Sequence, residues 1–349
     1  MTSFHPIRSV FAARDASRSM ILWSLVALGC LFLFNLFFTP HFFSLEIKEG
    51  HLYGNLIDIL KNGAPIMLLA IGMTLVIATR GIDISVGSVV AISAGTVAIL
   101  LGGDLAGHAK TPLAVAMGAA LLISIAAGAW NGMLVSRIGM QPIIATLILF
   151  VAGRGIAMVF TNAMVIWLYV KPFAILGQGY VLGLPFSIYI VVFVLILTAL
   201  LARRTALGLF IEAVGINPQA ARLSGINSKN ILLLVYTFSG LCAGIAGLIV
   251  CSTVMSADGN NAGNLFELDA ILAVVLGGTS LNGGKFTLIG SMIGALIIQT
   301  LTTTIYAFNV PPEISQVVKA LVVYAVCLLQ SAEFRGRVAG LFGRKVATT

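Results

Sequence analysis

Charged and polar residues are rare in this chain, so the few motifs they form decide which chemistry is possible. The stretch Gly278–Phe286 carries glycines and a lysine and comes nearest to a phosphate-binding loop. It departs from G-x-x-x-x-G-K-[ST] twice. One extra residue separates the glycines from Lys285, and Phe286 stands where a hydroxyl would bind Mg²⁺. We therefore predict that this chain holds no nucleotide.

Motifs for other membrane chemistry are also missing from the sequence. It contains no HExxH for zinc, no DDxxD for prenyl diphosphates and no pair of intramembrane aspartates for proteolysis. The four cysteines lie in apolar runs without CxxC spacing, which argues against a metal site or a disulfide framework. The sequence therefore predicts neither an enzyme nor a bound metal.

The composition places these motifs in a membrane protein. Of the 349 residues, 59% are hydrophobic and only 9% are charged, with a mean hydropathy of +1.06. Soluble domains carry roughly a quarter charged residues, so soluble enzymes and binding modules are excluded. The net charge of +8 comes from Lys and Arg placed singly between apolar runs. Because nucleic-acid-binding proteins concentrate these residues on one patch, no nucleic-acid partner is expected.

Ten apolar segments approach the roughly 17 to 25 residues that a membrane-spanning helix needs. The predicted fold is therefore an all-α polytopic bundle of about ten transmembrane helices. The eighth segment contains Glu267 and Asp269, so it either spans the bilayer or is re-entrant. The segments are 20–38, 57–79, 82–101, 112–135, 139–160, 181–201, 231–254, 265–281, 286–305 and 314–329.

The distribution of Lys and Arg predicts the orientation. With both termini in the cytoplasm, fourteen of the 20 Lys and Arg residues fall inside and four outside. Such an excess marks cytoplasmic segments. The chain then divides into an N-terminal cytoplasmic tail (1–19), a membrane domain (20–330) and a basic C-terminal cytoplasmic tail (331–349).

The other two basic residues, Arg154 and Lys319, lie inside predicted spans, each within roughly 9 Å of the outer end. Charged residues at such positions often mark ion relays, although long side chains also reach the interface by snorkelling. We expect one of them to pair with Glu267 or Asp269 and to shape an entrance near the outer face.

The stretch Arg80–Gly87 interrupts a long apolar run and has two interpretations. It is either a tight cytoplasmic turn with a solvated pair of Arg80 and Asp83, or an intramembrane break whose backbone lines the substrate path. In both cases we predict that Asp83 caps the following helix by accepting hydrogen bonds from the amides of Ser85 and Val86.

The most polar internal stretch is the predicted cytoplasmic loop 202–230. Within it Asn217 is a good N-cap, Pro218 suits the first helical turn, and Gly225 provides a C-terminal stop. A helix this short is marginal alone in water. It is therefore expected to dock, either onto its own membrane domain or onto a cytoplasmic subunit.

Several sequence blocks together carry a resemblance to a known family. The blocks are Ala70–Gly87, Gly128–Gly132, Ile143–Leu147 with Arg154–Gly155, Ala206–Gly225 and Ala273–Gly284. They resemble permease subunits of ABC importers of the ribose, xylose and galactofuranose type, and the similarity extends from about residue 63 to 330. The motif Asp258–Gly263, followed by Glu267–Leu272, looks most similar to the galactofuranose type.

The resemblance implies that the loop carries a coupling helix that binds a cytoplasmic ABC ATPase subunit, which would hold the ATP and Mg²⁺. It also implies a periplasmic sugar-binding protein on the opposite face and a second permease chain, identical or different, in the bacterial inner membrane. This chain itself would bind no cofactor. The predicted ATPase-coupling residues are Glu212, Ala213, Gly215, Asn217, Pro218, Ala220, Arg222 and Gly225.

A sugar is neutral and rich in hydroxyl groups, so its path should offer amides, hydroxyls and aromatic faces. The candidate path residues are Asp83, Ser85, Trp130, Asn131, Thr146, Phe150, Arg154, Asn261, Asp269 and Asn282. The chain is thus interpreted as a sugar-importer permease that works by alternating access. The alternatives are a branched-chain amino-acid ABC permease and an ion-coupled secondary transporter.

Overall fold

The computed structural model describes residues 6–40, 42–48, 51–102 and 109–330, and most of them are helical. The helices are α1 (Pro6–Phe38), α2 (Asn55–Ala78), α3 (Val86–Leu101), α4 (Leu113–Met133), α5 (Pro142–Thr161), α6 (Lys171–Gln178), α7 (Phe186–Arg204), α8 (Leu207–Ile216), α9 (Pro218–Leu223), α10 (Ser228–Val254), α11 (Phe266–Leu276), α12 (Leu288–Ala307) and α13 (Pro312–Gln330). A π-helical turn, Leu134–Ile138, extends α4. The predicted C-terminal tail lies outside the described residues.

Each of the ten predicted segments contains a helix, but the number of membrane crossings is not confirmed. Within the described residues, seven helices are long and apolar enough to cross a membrane: α1, α2, α4 with its π turn, α5, α7, α10 and α12. Helix α3 has 16 residues and α11 only 11. At 1.5 Å per residue, α11 covers roughly half of the hydrocarbon thickness. Helix α1 runs continuously from Pro6, so the predicted tail boundary at residue 19 falls inside a helix.

Helices α2 and α10 form the centre of the bundle. The apolar window of α2 is 83% buried, whereas that of α4 is 22% buried. Helix α10 packs on α2, α3 and α4. Its contact with α4 is close because Gly128 faces Gly240, and a Cβ on Gly128 would lie 2.9 Å from the Gly240 Cα. The exposed apolar faces of α4, α5 and α7 suit contact with lipid.

Two ends of the bundle can be distinguished. At one, called here the hairpin end, three short antiparallel strand pairs lie between helices: β1 (Glu46–Lys48) with β2 (His51–Tyr53), β3 (Ile166–Trp167) with β6 (Ser256–Ala257), and β4 (Tyr180–Val181) with β5 (Leu184–Pro185). At the other, called the α9 end, the C-terminal end of α2 meets α8 and the turn 277–284.

Helices α3 and α11 both begin inside the bundle. Gly87, in the first turn of α3, lies against Gly263 and the side chain of Glu267 in the first turn of α11. The non-helical segment 258–265 therefore reaches the start of α3 before α11 returns toward the α9 end. Non-helical backbone at such depth is tolerated where protein surrounds it or where it lines a cavity.

Candidate transport and coupling sites

The C-terminal end of α2 is closed by an arginine in a position that usually belongs to glycine. The Gly81 amide donates to the Val76 carbonyl (3.0 Å) and the Arg80 amide to the Ile77 carbonyl (2.9 Å), which is a Schellman motif. Arg80 has φ +62°. A left-handed conformation costs a residue with a side chain roughly 1–2 kcal/mol. The structure thus retains a strained arginine where glycine would fit without strain.

The Arg80 side chain connects two other segments to α2. Its Nε donates to the Asn282 carbonyl (2.7 Å), and its Nη2 donates to the Ile216 carbonyl at the end of α8 (2.8 Å). The Gly284 amide also donates to the Ala78 carbonyl (2.8 Å). We call this meeting point of Arg80, Ile216 and Asn282 the Arg80 junction.

Helix α8 lies close against the end of α2. Gly215 is buried, and a Cβ there would collide with the Ala78 carbonyl and the Gly284 amide. Only glycine allows this approach. Gly215 therefore faces its own membrane domain and attaches α8 to the bundle, and it is not open to a partner.

Helix α9 has the local structure that the sequence predicts. The Asn217 Oδ1 accepts hydrogen bonds from the amides of Gln219 and Ala220, both at 3.0 Å. Pro218 is the first helical residue. Gly225 ends the helix with φ +84°.

Helix α9 projects from the bundle. Of its residues only Ala221 is buried, and Leu223 is 91% exposed. Neighbouring Ile216 is 59% exposed. Exposed apolar side chains on a short, well-capped helix provide a surface that a partner can bury.

Among the predicted coupling residues, those on α9 are exposed and those on α8 are largely covered. Asn217, Pro218, Ala220, Arg222 and Gly225 are exposed, whereas Glu212 and Ala213 are half-buried. Glu212 lines a cavity of about 500 Å³ between α7, α8 and the start of α12. Burial raises the pKa of the Glu212 carboxyl above its ordinary value, and the nearby charge of Lys285 offsets only part of this effect.

Four predicted path residues form a buried polar cluster where the chain enters α3. The Asp83 carboxylate accepts from the Ser85 hydroxyl (2.7 Å), the Ser85 amide (3.1 Å) and the Ser239 hydroxyl (3.0 Å). The Asn131 amide donates to the Ser85 hydroxyl (2.8 Å), and the Thr146 hydroxyl lies 3.3 Å from the Ile82 carbonyl.

This cluster corrects the prediction for the stretch 80–87. Asp83 is 1% exposed, so the solvated Arg80–Asp83 pair is wrong. Arg80 is exposed and Asp83 is buried among α3, α4 and α10. The predicted cap of Asp83 is present through the Ser85 amide. Within the described residues, Asp83 accepts no hydrogen bond from the Val86 amide. Burial favours these bonds because an unpaired carboxylate inside a bundle is costly.

Arg154 holds the non-helical segment before α11. Its Nη1 donates to the carbonyls of Ala262 (2.6 Å), Asn260 (3.1 Å) and Gly259 (3.4 Å). The Asn261 side chain donates to the Asp258 carboxylate (2.6 Å) and is exposed. Arg154 thus satisfies carbonyl groups that a helix would otherwise satisfy.

The prediction that one intraspan cation pairs with an acidic residue of α11 is confirmed for Lys319. Its Nζ lies 3.0 and 3.1 Å from the two Asp269 carboxylate oxygens. The pair borders a cavity of about 570 Å³ among α2, α10, α11, α12 and α13. Gln299, Thr302 and Tyr306 also line it. Its volume falls within the range of roughly 300–1,000 Å³ for small-molecule sites.

The other candidate path residues lie elsewhere. Trp130 is 50% exposed on the outside of α4, and Phe150 is half-buried on α5. Asn282 is exposed at the α9 end, where its carbonyl belongs to the Arg80 junction. The structure therefore does not gather the ten candidates into one path.

A polytopic helical bundle with two helices that begin inside it, and with a cavity bordered by an ion pair, is typical of an integral membrane transport protein. Comparison with known proteins agrees. Residues 55–327 match the family model described as "Branched-chain amino acid transport system / permease component". The chain belongs to this family of permease components, so it is a multi-pass protein of the bacterial inner membrane.

Curated relatives cover nearly the whole chain. The galactofuranose transporter permease protein YtfT of Escherichia coli is 49% identical over 92% of each chain. The fructose import permease protein FruF of Bifidobacterium longum is 43% identical over 90% of this chain and 88% of its own. The ribose import permease protein RbsC of Escherichia coli is 37% identical over 88% and 92%. These matches confirm the resemblance inferred from the sequence blocks. No solved structure matches the chain.

Proposed function

We propose that the chain is the transmembrane permease subunit of a sugar importer that is driven by a separate ATPase. The observation that carries this proposal is helix α9, which is capped by Asn217, projects from the bundle and exposes Leu223. A helix of six residues has little stability of its own. Its attachment through α8 to the ends of α2 and α11 offers a route by which force on α9 would reach the membrane domain.

The relatives support a sugar as the substrate. The names of the three relatives above refer to galactofuranose transport, fructose import and ribose import. The family description refers to branched-chain amino acids. A sugar is favoured because the three relatives described above are named as sugar permeases, and galactofuranose is the first substrate to test.

The proposed function assigns ATP hydrolysis and sugar delivery to separate subunits. A cytoplasmic ATPase subunit would bind at the α9 end and hold ATP and Mg²⁺, and a periplasmic sugar-binding protein would release substrate at the hairpin end. Both termini would then be cytoplasmic. A second permease chain, identical or different, would complete the path. This chain acts by alternating access and carries out no catalysis.

The cavity beside Asp269 and Lys319 is the part of the chain best suited to the sugar. It lies toward the hairpin end, and Gln299 and Thr302 offer amide and hydroxyl groups to a neutral polyol. Arg154 would keep the adjacent segment in the shape that borders this entrance. Replacing Arg154 by Gln and Asp269 by Asn should each reduce uptake at equal expression. Unchanged uptake in both variants would exclude this entrance.

The test of the proposed function is reconstitution. Purified chain, together with the ATPase, the second permease and the binding protein encoded beside it, is placed in proteoliposomes and supplied with radiolabelled galactofuranose. Uptake should require ATP and persist when ion gradients are collapsed. Uptake that follows an ion gradient without any ATPase would identify a secondary transporter instead. Competition by leucine, but not by sugars, would identify an amino-acid permease.

One variant distinguishes a loss of ATPase docking from a loss of permease folding. Ala220→Trp places a bulky side chain on the exposed surface of α9 and should abolish co-purification of the ATPase while the permease still inserts. Gln219→Ala, on the same exposed helix, is the matched control and should retain the ATPase. Full ATP-driven uptake by Ala220→Trp would remove α9 as the docking site.

A further inference from the structure

We infer that Arg80 is a positioning residue that couples helix α9 to the break before α3 and to the turn 277–284. This inference rests on the proposed docking of an ATPase at α9.

The Arg80 junction connects three segments of the chain. Arg80 ends α2 and leads into the buried stretch before α3. Its guanidinium donates to the Ile216 carbonyl, one residue before the N-cap of α9, and to the Asn282 carbonyl in the turn after α11. Arg80 lies in the break before α3, and its side chain therefore links this break to the turn between α11 and α12 and to the base of α9.

The Arg80 junction is maintained despite backbone strain. The φ of +62° at Arg80 belongs to the glycine position of a Schellman motif. Glycine at this position would relieve the strain and lose the guanidinium. Strained residues persist where the surrounding structure requires them, and they cluster at functional positions.

The planar geometry of the Arg80 guanidinium suits this junction. Its rigid fork binds two carbonyl groups in different directions at once, which a single ammonium group on a flexible stem does not reproduce. The close packing of Gly215 against Ala78 and Gly284 keeps these carbonyls within reach. A displacement of α9 would consequently move the turn 277–284 and the end of α2 together.

The first test uses the permease alone in detergent. Hydrogen exchange is measured over residues 207–223 for Arg80→Gln and for Arg137→Gln. Arg137 lies at the same end and donates to the Asn230 side chain (3.0 Å), outside the Arg80 junction, so it is the matched control. Exchange in this region should accelerate only in Arg80→Gln. Equal exchange in both variants would overturn the inference.

The second test measures coupling in proteoliposomes that contain the ATPase, the second permease and the binding protein. In Arg80→Gln the ATPase should still co-purify and hydrolyse ATP. Sugar transported per ATP should fall at least about fivefold, the lower limit of typical coupling between distant sites. Arg80→Lys should give an intermediate ratio, and it replaces Arg80→Gln if the latter does not fold.

The outcomes separate this inference from the proposed function. An unchanged ratio of sugar to ATP would refute the role of Arg80 even when the ATPase binds at α9. Loss of the ATPase in Arg80→Gln would also refute it, because Arg80 would then belong to the docking surface. Failure of the unmodified chain to bind any ATPase would instead refute the proposed function.

Discussion

The ion pair between Asp269 on α11 and Lys319 on α13 predicts a large, measurable coupling energy. At 3.0 Å the Coulomb attraction is about 5 kcal/mol for an effective dielectric constant near 20. Desolvation offsets part of it, and removing one member of a buried pair costs roughly 3–5 kcal/mol. The two side chains retain 18% and 12% exposure beside a cavity, so we expect the low end, about 3 kcal/mol, for each single change.

A double-mutant cycle tests this magnitude. Asp269→Asn, Lys319→Met and the double variant are unfolded reversibly in mixed detergent and SDS micelles. Once one partner is gone, removal of the other should cost little, which gives a coupling energy of about 2–3 kcal/mol. Lys61→Met is the control, because Lys61 lines the same cavity but lies over the Tyr180 ring. Additive single changes, within about 0.5 kcal/mol, would refute the reasoning.

Three further predictions follow from local geometry. Gly128→Val should destabilise the bundle by more than about 2 kcal/mol in the same unfolding assay, because the valine side chain would collide with the α10 backbone. Gly118→Val is the control, since its side chain would enter open space. Equal effects of the two changes would contradict this packing. Asn217→Ala should cost α9 about 1 kcal/mol of capping energy and accelerate its hydrogen exchange. Gln219→Ala, which leaves the cap intact, should not accelerate it. Unchanged exchange in Asn217→Ala would show that the cap is unimportant. Because the folded state raises the pKa of Glu212, its ionisation opposes folding above that pKa and has no effect once the carboxyl is protonated in both states. Glu212→Gln should therefore raise the melting temperature near pH 8, and this increase should disappear at about pH 4. An increase in melting temperature that is the same at both pH values would contradict the prediction.

The sequence predicts the helices well where hydrophobicity alone decides them. The long spans α2, α4, α5, α10 and α12 agree with the predicted segments to within a few residues. The helix α9 is also predictable, since Asn217, Pro218 and Gly225 are local signals that act within one or two turns. Both kinds of signal depend on neighbours in sequence, so they require no knowledge of tertiary contacts.

Depth within the bundle is not predictable in the same way. Hydrophobicity cannot show that α11 has only 11 residues and begins beside Gly87, because protein and lipid are equally apolar surroundings. The same limit explains why the sequence left two alternatives open at Asp83, whose partner Ser239 lies 156 residues away. Polar residues that pair across such distances carry no local signature.

The candidate sites show most clearly the difference between local sequence signals and long-range contacts. The pairing of Lys319 with Asp269 could be predicted because few charges lie inside the spans and each needs a partner. Gln299 and Ser239 were missed because they look like ordinary polar residues within apolar helices. The partners of Arg80 could not be predicted, because its two carbonyl partners, at 216 and 282, come from segments that only the fold brings together.

The most direct test of the account is the side of the membrane on which α9 lies and what it touches. Leu223→Cys and Leu182→Cys, both at positions that are 91% exposed but at opposite ends, are made in a background without native cysteines. In intact cells an impermeant maleimide should label only Leu182→Cys. A photoactivatable maleimide on Leu223→Cys in inverted vesicles should cross-link the ATPase subunit. Labelling of Leu223→Cys from outside the cell would contradict the account.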